Sequence, residues 1–368
     1  MRFTDLKTGT KILTGFMLVV LIAVIIGVIG LMGLRNVGQS FHQVSDVRLP
    51  SIQYLGEMEV NIDRVQAGYV RLLDNQLSRA QREAILSEIA GYRANYQRNN
   101  ELFAAFPLSE EENRLYRQAL QVLDGWRNIN VQQVDRLHNE LMATDLLNPM
   151  QTNRDLEEFM KDHYALQTQT INAIQTGRTF DGGDDATRCN FGQWLPNFRT
   201  NNQEINRNMR DMMAHHDNFH SSVHRIKQLI QQGNRDAAMR QYMDVMVPAA
   251  EQVFNYFAII NREATRAVGV YEELSRVVGT DARNAQVEFT GILNQLKQIN
   301  QAAAASDTNT GDVIIVQSNT MMLAGIIIGI IIALILGYTI TRMVTTGINK
   351  GVGIAQTIAD GDLTINVN

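Results

Sequence analysis

The sequence predicts an all-α chain: a long helical bundle, read as two stacked four-helix-type bundles, carried between two membrane-spanning helices and followed by a further helix. Three observations predict it. Two long uncharged apolar runs lie near the ends of the 368 residues. The polar middle repeats its apolar residues at steps of three and four. No segment between the runs shows the alternating, β-branched pattern of a strand. Composition agrees: there are only 5 Pro, and Ala, Leu, Gln, Arg and Met are plentiful.

The first apolar run, Ile12 to Leu34, has 23 residues without a charge. At 1.5 Å per residue it reaches about 35 Å, enough for a bilayer core. It is too long for the apolar part of a signal peptide, and no small-residue cleavage site follows it. The second run, Met321 to Ile340, has 20 uncharged residues, reaching about 30 Å. Arg2, Lys7 and Lys11 precede the first, and Arg342 and Lys350 follow the second. Basic residues on the outer flanks predict two cytoplasmic termini. The expected plan is then a cytoplasmic stretch over 1–11, a membrane helix over 12–34, a periplasmic sensor region over 35–320, a second membrane helix over 321–340 and a cytoplasmic helix over 341–368, all in a bacterial inner membrane.

Within the middle region, Pro50 begins or kinks a helix running to about Asp74, with Leu55, Met58, Ile62, Val65, Tyr69 and Leu72 on one stripe. A second helix spans about Ser78 to Ala105. A third starts at Ser109, where Glu110 to Glu112 suit the positive end of the helix dipole, carries Leu115, Ala119, Val122, Trp126 and Ile129 inward, and ends before Pro149. A fourth spans about Asn153 to Gly177, and a fifth Gln203 to Gln232, with an irregular stretch between them. The last starts near Asn234, with a possible kink at Pro248, and continues to about Ala305 or directly into the second apolar run. Such helices each bury only a stripe, so they must bundle. Six are too many for one four-helix bundle.

After the second apolar run, Ile348, Val352, Ala355 and Ile358 fall near coiled-coil spacing, and Gly361, Asp362 and Leu363 break the helix. This segment resembles the first helix of a HAMP domain with its Gly-Asp-Leu turn, although Gly347 stands where many members carry proline. The resemblance implies a parallel homodimer and a cytoplasmic signalling domain beyond residue 368. The N-terminal stretch, with Lys11 and Phe16 opening the apolar run, is similar to the start of methyl-accepting chemotaxis receptors.

The chemistry gathers around the single cysteine, which excludes an intrachain disulfide framework. The fourth helix reads Leu156, Phe159, His163, Leu166, Thr170, Ala173 along its inward stripe; the fifth reads Met209, Met212, His216, Phe219, Val223, Ile226, Ile230. His163 and His216 thus stand where apolar side chains are expected. His220, one turn beyond His216 on the stripe's edge, can share a metal with it. One core histidine alone would ordinarily be a packed residue with a hydrogen-bond partner. Two of them, a third four residues on, and the cysteine of a Cys-x-x-Gly-x-Trp loop favour a metal, and a His3Cys donor set favours zinc. Gly192 permits a tight turn after Cys189, and Trp194 can anchor the loop. The order Cys189, Gly192, Trp194, with His163 26 residues before the cysteine and His216 27 after it, resembles the chemoreceptor zinc-binding family (CZB) over about 155–230. That resemblance implies zinc held by His163, Cys189, His216 and His220. Its usual member is cytosolic, whereas the plan above places the module outside the membrane.

Other features read more plainly. His224 is a rival ligand pointing further from the stripe, His215 faces away from it, and His42 and His138 read as solvated or packed. Asp181, Asp184 and Asp185 around Gly182 and Gly183 could form a calcium loop, but the spacing is not that of an EF-hand, and a polar turn fits better. Arg64 and Arg71, seven apart, resemble the paired arginines that hold an anion between two chemoreceptor subunits; solvated charges beside a core stripe are the plainer reading. A net charge of -5 without a basic patch argues against nucleic acid. No nucleophile, base and orienter constellation and no phosphate loop is visible, and four protein ligands leave a metal no open position, so the chain is not expected to be an enzyme. The function expected is a transmembrane chemoreceptor-type transducer sensing zinc, an oxidant or a small molecule. The alternative is the sensor half of a histidine kinase or diguanylate cyclase, with a purely structural zinc and a small molecule bound elsewhere.

Overall fold

The computed structural model describes residues 7–360. Among them there is no strand. Seven helices follow in order: α1 Thr8–Leu72, α2 Arg79–Ala104, α3 over 110–144, α4 Pro149–Thr176, the short α5 Asn190–Trp194, α6 Gln203–Gln231 and α7 Arg235–Ala359. The Gly361-Asp362-Leu363 turn assigned above to the HAMP-like segment lies outside the described residues.

The chain forms two compact units, one of residues 54–296 and one of residues 7–53 with 297–360. The first breaks of this division fall well inside the region expected to be the sensor. In the smaller unit the N-terminal part of α1 and the C-terminal part of α7 lie side by side. Small residues let their backbones approach: a Cβ on Gly325 would stand 2.9 Å from Ile26, and one on Gly33 would meet Ser318 at 2.5 Å. The outer faces stay apolar and exposed, among them Leu13, Phe16, Leu31, Leu323, Ile327 and Leu334. By length and composition both runs can cross a membrane.

The helix ends of the larger unit follow local chemistry. Ser78 and Gln81 close a capping box on α2, and Ser109 and Glu112 close another on α3. Asn148 caps α4, which starts four residues earlier than the sequence reading because Pro149 occupies its first turn, where a missing N–H costs nothing. It ends at Gly177, whose φ is 65°. Asn202 caps α6 through the Glu204 and Ile205 amides, and Asn234 caps α7. Pro50 and Pro248 do not break their helices. Each follows a widened π turn, Gln43–Arg48 and Tyr242–Met246, which relieves the clash of the ring with the preceding turn.

Within residues 54–296 two bundles share α7. The first consists of residues 54–72 of α1, α2, α3 and the α7 segment near Val277–Ala282. The predicted α1 stripe is buried throughout, from Leu55 to Leu72. On α3, Leu115, Ala119 and Trp126 are buried as expected. Val122 and Ile129 are only half-buried, and Leu123 takes the inward place. The second bundle has three long helices, α4, α6 and the 247–276 stretch of α7, which also packs against Arg136–Thr144 at the end of α3. Its apolar floor includes Ile174, Phe219, Val223, Ile226 and Met246.

Candidate metal centre

The stretch between α4 and α6, irregular by sequence, carries α5 and a 3-10 turn at Leu195–Asn197. Cys189 is the N-cap of α5: its sulfur accepts the Gly192 amide at 3.2 Å. Gly192 is there for space. A Cβ would lie 2.0 Å from the Ala186 carbonyl oxygen, so any larger residue pushes the cysteine loop apart. Trp194 anchors the loop by donating from Nε1 to Asp155 Oδ2 at 3.1 Å and by stacking on Phe198 with centroids 4.3 Å apart.

This loop lays Cys189 over the inward faces of α4 and α6. One ligand atom from each of His163, Cys189, His216 and His220 lies within 4.8 Å of the other three. His216 Nε2 is 3.1 Å from His163 Nε2 and 3.4 Å from Cys189 Sγ. Zinc bonds of ordinary length at tetrahedral angles would set N···N near ~3.3 Å and N···S near ~3.5 Å. Two partners fix the rings. His163 Nδ1 donates to the Phe159 carbonyl at 2.7 Å, and His220 Nδ1 to the Gly183 carbonyl at 2.8 Å. Each leaves an Nε2 lone pair for a metal, and the carbonyl that takes the Nδ1 proton fixes the ring's tautomer and direction. His220 Nε2 is buried with no hydrogen-bond partner. All three imidazoles are buried, His220 included, although the sequence put it at the edge.

Burial also sets protonation. It pushes His163 down to about 4 and His216 to about 3, and lowers His220. The rings are therefore neutral at pH 7, the ligand form. Burial raises the Cys189 thiol, against the opposing pull of the Gly192 amide. A bound cation would reverse that shift by stabilising the thiolate. Around the donors stand Phe159, Phe191, Phe219 and Phe257, all buried. The donor set, its convergence and the orphaned Nε2 fit zinc.

The structure sorts the remaining candidates. His224 stands outside, beside Asp184 at 3.6 Å and Gln228 at 2.9 Å. His215 stacks near Tyr256, His42 pairs with Asp46, and His138 is packed in the first bundle. The Asp181–Asp185 stretch is a polar turn: Asp185 accepts from the Thr187 amide and hydroxyl. Arg64 and Arg71 are exposed and face separate partners, the Tyr92 ring at 5.5 Å and Glu88 at 2.7 Å. Sequence reading missed Lys227. Its buried ammonium donates to Gly182 O, lies 3.9 Å from Asp184 and 4.4 Å from the Phe180 centroid, and so pins the loop whose next carbonyl orients His220. A lysine inside the Val223, Ile226, Ile230 stripe was the signal for it.

Comparison with known families agrees with this geometry. Residues 5–144 match the four helix bundle sensory module for signal transduction. Residues 163–227 match the chemoreceptor zinc-binding domain. Together they support a chemoreceptor-type signalling protein that uses zinc. Among curated proteins and solved structures, none matches the chain.

Proposed function

We propose that the chain is the sensory half of a homodimeric two-pass membrane chemoreceptor, with residues between the apolar runs outside the inner membrane of a bacterium. Zinc held by His163, Cys189, His216 and His220 sets the packing of the second bundle. The reading extends to a relay along α7 into a HAMP-like helix and a cytoplasmic signalling domain, without enzymatic chemistry in these residues.

One observation carries the link from metal to relay. Phe257, on α7, is buried against the ligand His163 at 5.5 Å and against Phe191 of the cysteine loop at 5.0 Å between centroids. Zinc draws together α4, α6 and the cysteine loop, and Phe257 is where α7 feels the result. Packed cores have discrete arrangements, so a ligand that favours one of them biases the helix that shares it. The exposed apolar faces of the two runs support the membrane placement, since water does not tolerate patches of that size on a monomer.

Metal analysis of the purified chain tests the site. One zinc per chain is expected in the wild type and none in Cys189→Ala or His216→Ala; a wild type purified without chelator and free of zinc ends the proposal. Reporter fusions after residue 150 and at the C-terminus test the topology, with opposite sides of the membrane expected.

A further inference from the structure

The donors are not equally reachable. Phe159, Phe191, Phe219 and Phe257 ring the centre with buried apolar surface, and His163 and His216 lie among them; all three imidazoles are buried, His220 included, whereas Cys189 is half-buried. Cys189 and His220 instead line a pocket of about 520 Å³, whose wall also carries Asp162, Asp181, Asp184 and Asp185. Arg188 is the basic residue in its lining, and Lys227 and His224 stand against Asp184 at 3.9 Å and 3.6 Å, which leaves Asp162, Asp181 and Asp185 to carry its negative potential. Three of the carboxylates, Asp181, Asp184 and Asp185, are exposed at its rim.

We propose that this pocket is the entrance through which zinc is exchanged, and that its acidic rim draws the hydrated ion to the half-buried Cys189 before the three buried histidines complete the set, His220 at the pocket wall first. The inference rests on the zinc reading above. A divalent cation sheds its water in steps and cannot cross the phenylalanine wall without losing every oxygen partner at once. The pocket offers carboxylates first and then the half-buried sulfur of Cys189, with His220 behind it. Focused negative potential raises the local concentration of a cation and its association rate, in a manner that salt suppresses. A site with such an entrance is loaded and emptied on the folded protein, so zinc can act as a signal and not only as a staple.

The test uses the full chain, stripped of metal with a chelator and mixed with zinc in a stopped-flow instrument against a fluorescent zinc indicator. Three variants separate charge from access. Asp181→Asn with Asp185→Asn removes two rim charges and keeps an acceptor for the Thr187 turn. Asp181→Lys reverses one charge. Ala165→Trp, on the exposed face of α4 at the pocket wall, narrows the opening without changing charge. Each variant should still hold one zinc per chain. Loading should slow by about tenfold in the charge variants, with a weaker dependence on salt. Ala165→Trp should slow loading and release by the same factor and leave affinity unchanged. Full stoichiometry with wild-type rates in all three variants overturns the entrance and leaves the zinc site standing. A wild type that takes up no zinc overturns both.

Discussion

Two polar centres within residues 54–296, one in each bundle, are built in opposite ways. In the first, Tyr69 donates to Asp135 at 2.7 Å, and Arg93 reaches the same carboxylate at 3.1 Å as well as the tyrosine oxygen. Donors and acceptors of both signs come from the protein, and the network closes on itself. In the second, three imidazoles and a thiol meet with no carboxylate among them. The outer nitrogens of His163 and His220 are satisfied by the Phe159 and Gly183 carbonyls, that of His216 is buried without a partner, and the inner atoms face one another. A buried polar cluster that closes needs no guest; one whose lone pairs converge specifies a cation.

The largest effect should therefore separate the bundles by metal. With free zinc a thousandfold above its dissociation constant, binding adds about 4 kcal/mol to the stability of whatever carries the site. Chelation should lower the unfolding free energy of the second bundle by that amount and leave hydrogen-exchange protection around Tyr69 and Tyr96 unchanged. His216→Ala should melt at the chelated temperature with or without zinc. Equal losses of protection in both bundles would break the contrast.

Gly192→Ala sharpens the role of the cysteine loop. The added methyl would sit 2.0 Å from the Ala186 oxygen, a contact relieved only by moving backbone. Such overpacking costs about 1–3 kcal/mol, and here it displaces Cys189. Competition against a zinc indicator should show affinity reduced at least about tenfold, with helix content unchanged. Wild-type affinity would mean that the cysteine loop is not held as tightly as its packing indicates.

Much of this was legible in the sequence because period and donor type are local properties. The α1 stripe and the stripes of α4 and α6 could be read from spacing alone. Placing His163 and His216 on them made the histidines conspicuous. Less legible were features that depend on which segments meet. Asp135 pairs across the bundle with Arg93, 42 residues away, and no periodicity announces that. Val122 lost its inward place to Leu123, which stands four after Ala119 and three before Trp126, so that spacing alone did not choose between the two. The prolines misled in a different way. Pro50 was read as a helix start or a kink, but a π turn upstream absorbs it inside a continuous helix. The entrance to the metal centre was also hidden, because Asp162 and Asp181 share a wall only once α4 and the cysteine loop are folded together.

A third change addresses the closed network. Asp135→Asn keeps the shape and removes the charge opposite Arg93. Hydrogen bonds to charged groups contribute about 1.5–3 kcal/mol, and since these side chains are about a quarter exposed, the lower end is expected. Denaturation of the zinc-loaded protein should show that loss with zinc stoichiometry intact. A change in zinc affinity would mean that the two polar centres are coupled.

The smallest effect concerns the place where the bundles join. Asp145 closes α3 in a left-handed conformation, φ 53°, and its carboxylate accepts from Arg79, the Thr200 hydroxyl and the Asn201 amide. Burial alone would raise its pKa, but the Asn201, Arg79 and Thr200 bonds outweigh that and hold it below the ordinary carboxylate value. A depressed carboxyl stabilises the fold above its unfolded pKa, about 3.9, and that contribution disappears as pH falls through the lower folded value. Arg79 is 47% exposed, so solvent screening limits the effect to about 1 kcal/mol or less. Asn tolerates the left-handed backbone, which makes Asp145→Asn a clean comparison. The variant should be less stable than the wild type at pH 7, and the gap should close as pH falls below about 3.9. A gap independent of pH would show that the joint between the bundles depends on the shape of residue 145 and not on its charge.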